Sequence, residues 1–123
     1  MKGRPLENGY YSGRIDQTYS MFIRFFPDIG ECRIVIQNHT RETLNDMLGY
    51  LSNRAIMSYG NNDDFSSHED NSILIKQRNP NGGYIWQQGI LSSDSRTIKL
   101  QLVQRDATLS APLMMQFHDY YFT

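Results

Sequence analysis

The sequence predicts an all-β fold: an eight-stranded antiparallel up-and-down barrel, with one short amphipathic helix between the third and fourth strands. Three observations lead there. Short apolar or alternating runs recur along the chain, each closed by a cluster of Gly, Asn, Asp, Ser or Pro, as in chains of hairpins. Only one segment carries a convincing helical period. Short hairpin-linked strands form either a sandwich or a barrel, and closure into a barrel removes the exposed edges that invite aggregation. At 123 residues the chain reads as a single domain, with residues 1–9 a flexible lead-in.

The first strand is expected at Tyr10–Ile15, where Gly13 suggests a bend or a close backbone approach. The second, Thr18–Phe26, is aromatic and branched and stops at Pro27. The segment Phe26-Pro27-Asp28-Ile29-Gly30-Glu31 reads as a hairpin loop, with Gly30 able to take the left-handed position. Cys32–Gln37 supplies the third strand. The helix follows, with Thr40 as N-cap, Glu42 in the first turn, and Leu44, Met47, Leu48 and Leu51 at i, i+3, i+4 and i+7. Ala55–Tyr59 is expected as the fourth strand, and Asn71–Arg78 as the fifth, ending at Asn79-Pro80-Asn81-Gly82-Gly83. Gly83–Ile90, Thr97–Gln104 and Leu113–Phe122 complete the eight, with a turn at Ser92–Ser95. Strands 18–26 and 113–122 are apolar on both faces, so periodicity leaves their inward face open.

Three groups of residues then resemble a family. These are Tyr10-Tyr11-Ser12-Gly13, the stretch Ile23-Arg24-Phe25-Phe26-Pro27-Asp28 with Gly30, and Gln88-Gly89-Ile90 with Asp94 before a Leu-rich strand. Together they are similar to small lipocalin-like (calycin) domains of uncharacterised bacterial proteins. The likeness is spread from Tyr10 to Phe122. It departs from the family pattern at Ile29, inserted between Asp28 and Gly30, and in the long polar segment Asn61–Asn71. The resemblance implies an up-and-down barrel around an apolar cavity and no catalytic residues.

Charge excludes some functions. Twelve Lys and Arg oppose 13 Asp and Glu, a net charge of -1, which removes the electrostatic reason to expect a nucleic-acid binder. A single cysteine, Cys32, allows no intramolecular disulfide and no CxxC zinc site. Met1–Gly9 has no apolar signal-peptide core and no run is long enough to span a bilayer, so the expectation is cytoplasmic.

Candidate chemistry is thin. The acidic stretch Asp63-Asp64-Phe65-Ser66-Ser67-His68-Glu69-Asp70 offers ligand-type side chains but lacks calcium-loop alternation, and reads as a solvated loop. His118 and Asp119 are adjacent on a strand and point to opposite faces, so they make no acid/base couple there. Cys32, between Glu31 and Arg33, has no electropositive setting to activate it. No metal or cofactor is expected. The expectation is non-enzymatic binding of a small apolar or aromatic ligand, with Arg24, Tyr84, Trp86, Gln88, His118 and Tyr120 lining the mouth. The alternative is a closed-core barrel acting as an adaptor, immunity or assembly module, with helix residues Leu44, Met47, Leu48 and Leu51 facing a protein partner. Nine of the twelve basic residues are Arg, which suits protein interfaces. A cyclase or isomerase using the cavity is the third reading, and it has no acid/base pair to name.

Overall fold

A computed structural model describes residues 3–52, 62–78, 82–104, 107–108 and 112–122. The expected strand Ala55–Tyr59 lies outside them. The described elements are β1 (Gly9–Arg14), β2 (Tyr19–Phe26), β3 (Glu31–Asn38), α1 (Leu44–Ser52), β4 (Asp63–Ser67), β5 (Ser72–Arg78), β6 (Tyr84–Leu91), β7 (Thr97–Gln104), the two-residue β8 (Ala107–Thr108) and β9 (Leu113–Asp119). From β1 to β7 each strand pairs antiparallel with the next, and β9 bridges β7 and β1. The result is the expected closed up-and-down barrel of eight wall strands, with β8 an appendage on β7.

Local chemistry accounts for the turns. In the β2–β3 hairpin the Ile29 N–H donates to Phe26 O at 3.1 Å, and Gly30 takes φ +67°. Gly13 lies where β1 meets β9: a Cβ there would come within 2.6 Å of Met114 O. The helix starts three residues later than its period suggested. Thr43 and Asp46 form a reciprocal cap, with Thr43 N–H donating to Asp46 Oδ2 (2.8 Å) and Asp46 N–H to Thr43 Oγ1 (3.2 Å). Thr40, the expected cap, instead donates to Asn38 Oδ1.

The acidic stretch is a correction to the loop expected there. Asp63–Ser67 is a strand whose exposure alternates, with Asp64 and Ser66 outside and Phe65 against the core. One aromatic ring at the right phase is enough, because Phe65 packs edge-on to Phe25 at 4.9 Å. The β5 partner fixes it further, pairing Asp64 with Lys76 and Phe65 with Ile75.

The inward face of β2, open in the sequence, carries Met21, Ile23 and Phe25. On β9 it carries Leu113, Met115 and Phe117. One end of the barrel is closed around Tyr11, whose ring meets Phe25 at 5.5 Å and Phe117 at 5.0 Å, both edge-on. Its hydroxyl donates to Ser95 O (2.5 Å) and accepts from Leu6 N–H (2.9 Å). The lead-in expected to be flexible is therefore held at Leu6, beside a buried Pro5.

The outward face of β2 is covered too. Phe22 and Tyr10 bury Met47 and Leu51 of α1 against the outside of the wall. Arg24 lies under the end of this helix, where its Nη1 donates to Leu51 O (2.8 Å) and Ser52 O (3.3 Å). Its guanidinium sits 4.0 Å from the Phe122 ring centroid and 4.7 Å from that of Phe26. A cation on the last carbonyls satisfies acceptors that lack helical donors and opposes the negative end of the dipole.

Two measurements test this packing. Arg24→Gln should lower stability by about 1–2 kcal/mol, read from the urea midpoint, because helix-end and ring contacts go together. An unchanged midpoint would show that Arg24 does not hold the helix. Burial pushes the Tyr11 phenol up to about 12 from 10.0. Between those values the unfolded chain loses this proton while the native chain keeps it, so stability should fall as pH rises through that window. Tyr11→Phe should flatten the fall and cost about 1–3 kcal/mol at pH 7, since Leu6 N–H loses a buried acceptor.

Candidate functional site

The six residues expected to line the mouth all lie on the outward phase of their strands or beyond the wall. Tyr84, Trp86 and Gln88 alternate with inward Ile85, Gln87, Gly89 and Leu91. Tyr84 is 55% exposed and Trp86 46%. The structure brings these two together over Lys76, whose Nζ is 4.0 Å from the Tyr84 centroid and 5.6 Å from that of Trp86. Gln88 sits between Leu74 and Gln101 on the outer wall. His118 stacks on Tyr10 at 5.1 Å, and Tyr120 meets the same ring edge-on at 6.3 Å. Arg24 is the helix-end cation described above, neither buried in the barrel nor left in solvent.

The helix stripe divides. Met47 and Leu51 are fully buried against the barrel, Leu48 packs beside them, and Leu44 is exposed. Most of the surface expected to face a partner is thus consumed by the fold itself.

What does face inward differs between the two ends. Around Tyr11 the packing is tight: a Cβ at Gly89 would lie within 3.1 Å of both Ile73 and Ile98 side chains. At the far end the inward residues are Ile34 and Ile36 of β3, Gln77 of β5, and Ile85 and Gln87 of β6. Ile36 shares the inward phase with its partner Met21, yet it is 43% exposed. Tyr19, on the same phase, is 41% exposed. At this end of the barrel, inward-phase apolar groups reach solvent.

Below that rim, Gln87 is only 4% exposed. Its Nε2 donates to Gln77 Oε1, while its own buried Oε1 accepts a hydrogen bond from no described residue. A buried amide oxygen left without a donor costs about 1–3 kcal/mol. It is therefore the polar atom in this wall most in need of a partner. Sequence reasoning missed Gln77 and Gln87 because the aromatic face of β6 looked more like a lining. The signal was the register: counting back from the Gly82-Gly83 turn sets Gln87 opposite Ile75 and Gly89 opposite Ile73.

The titratable groups of the closed core are inert at neutral pH. Burial, reinforced by the charges of Asp63, Asp64 and Glu31, pushes the Cys32 thiol up, and burial likewise keeps Tyr11 protonated. Among the described residues no group of three or more His, Cys, Asp or Glu converges on a point, and no helix is long and apolar enough to cross a membrane. The acidic stretch on β4 does not gather its side chains: Asp64 faces out, and His68 beyond the strand is engaged by Ser66 Oγ at 2.8 Å. No family model, curated protein or solved structure matches the chain.

Proposed function

We propose that the chain is a non-enzymatic binding protein that takes a small apolar ligand, carrying one hydrogen-bond donor, in the far-end mouth of the barrel. The observation behind this reading is the buried Gln87 Oε1, without a described donor, beneath a rim where inward Ile36 stays open to solvent. Ile34, Ile36 and Ile85 supply apolar surface worth about 25 cal/mol per Å² covered. The amide oxygen then selects for an N–H or O–H on the ligand, since such a donor removes a penalty that an ether or alkane leaves in place. Binding without turnover fits a site whose inward polar groups are amides. The reading is also what a lipocalin-like domain implies.

The second reading, a protein-interaction module, is favoured by a separate observation. Tyr84, Trp86 and Ile90 are exposed together on the outer face of β6, away from α1. Large rings of this kind dominate many protein interfaces. Light scattering and pull-down with a Trp86→Ala control test that surface directly.

For the mouth, displacement of a naphthalene-sulfonate dye by decanol and by its methyl ether is the measurement. Decanol should displace the dye about 5–10-fold more strongly, the difference that one satisfied buried acceptor makes. Gln87→Leu should erase that preference, and Ile36→Trp should weaken both compounds by filling the rim. The absence of saturable displacement, or a preference that survives in Gln87→Leu, would overturn the proposal.

A further inference from the structure

The outer wall carries a concavity beside the helix-covered cluster, with Phe22 common to both. An open groove of about 460 Å³ runs across β9, β1 and β2. Its polar lining is Ser12, Arg14, Ser20, Gln116 and His118, and its apolar lining includes Phe22 and Met114. Cross-strand pairing sets these side by side: Arg14 opposite Ser20, and Ser12 opposite both Phe22 and Gln116. Directly opposed residues have Cβ atoms about 5 Å apart, so the polar groups surround a space of small-molecule size.

Each polar group at the centre is held by a partner. The Ser12 Oγ is 2.9 Å from His118 Nε2, and His118 is stacked on Tyr10. The Ser20 Oγ is 2.7 Å from His39 Nε2. Arg14 is anchored to the β1–β2 turn, its Nε donating to Asp16 O (3.0 Å) and its Nη2 to Gln17 O (3.1 Å). In the Nε2–H tautomer each histidine donates to its serine, and the serine hydroxyl proton is then free to point into the groove. In that tautomer two hydroxyl donors line the groove with the guanidinium, held by their partners before any ligand arrives, which lowers the ordering cost of binding. Among the described residues no carboxylate lines the groove, although the chain carries 13 acidic residues against 12 basic ones.

We propose that this groove is a binding site for a small organic oxyanion, a carboxylate or phosphoryl group on an apolar body. The anion is held by Arg14, Ser12 and Ser20, and the body lies on exposed Met114, with buried Phe22 behind it. Guanidinium and hydroxyl donors form charge-assisted bonds to either oxyanion. The site is on the opposite side of the wall from the mouth and does not depend on it.

Amide-resolved NMR titration with benzoate, phenyl phosphate, inorganic phosphate and benzyl alcohol tests the proposal. Benzoate or phenyl phosphate should shift the Ser12, Arg14 and Ser20 amides saturably, and the tighter of the two names the headgroup. Benzyl alcohol and inorganic phosphate should each bind about tenfold more weakly, one lacking the charge and the other the body. Gln116→Glu places a carboxylate at an exposed position of the groove, leaves the fold intact, and should weaken binding at least about tenfold. Arg14→Gln should do the same with unchanged shifts elsewhere, and Gln87→Leu should have no effect. No saturable shift with either anion, equal binding of benzyl alcohol or inorganic phosphate, or full affinity in Gln116→Glu would overturn it.

Discussion

The structure depends on the placement of one phenol. The Tyr11 ring points into the barrel, and its hydroxyl is tied to Ser95 O and Leu6 N–H, joining the start of β1, the β6–β7 turn and the N-terminal segment. In a strand, successive residues face opposite ways, so setting Tyr11 inward sets Tyr10 and Ser12 outward. Pairing carries that parity around the wall. Tyr11 faces Ile23 on β2 and Phe117 on β9, and these in turn fix Ile34 on β3 and, through Met115, Ile98 on β7. A slip of one residue would turn the ring into solvent and break its two aromatic contacts, with Phe25 and Phe117.

The same parity dictates where the helix goes. With Met21, Ile23 and Phe25 committed to the interior, β2 still presents Phe22 and Phe26 outward, and β1 presents Tyr10. Exposed apolar area of that size needs a cover, and α1, apolar on one side, supplies it with Met47 and Leu51. Arg24 then has a distinct task on that outer layer. It lies between two rings and the final carbonyls of the helix, so its charge is spent on holding the cover down.

The sequence made the architecture legible and left the parity hidden, for a physical reason. Strand lengths, the Gly30 hairpin and the position of the helix follow from local rules of turn chemistry and periodicity, and these survive in the structure. Inward and outward faces are distinguishable only when one is polar. On β2 both are apolar, because one fills the barrel and the other lies under a helix. On β6 the contrast is inverted: the exposed face carries Tyr84 and Trp86, and the buried face carries Gln87 and Gly89. Aromatic or polar character does not separate the two faces of this barrel: Tyr11, Phe25 and Gln87 face inward, while Tyr84, Trp86 and Gln88 face outward. The strand Asp63–Ser67 was hidden for a related reason, since one ring, Phe65, provides its entire hold on the core.

The two proposed sites of the wall, inner and outer, obey opposite logic. At the proposed mouth, Gln87 keeps an amide oxygen in a buried place with no described donor, so a ligand's affinity there would come from relieving a cost already built into the fold. In the outer groove, Ser12, Ser20 and Arg14 are each already hydrogen-bonded to a neighbour, so little is gained by relief and binding must draw on fixed geometry and charge. The proposed mouth site would select a ligand by a single donor against an apolar background. The proposed groove site would select by charge, with exposed Met114 as the apolar surface and buried Phe22 behind it. Both proposed sites depend on one register, which the aromatic end around Tyr11 holds together with the cross-strand pairing of the wall.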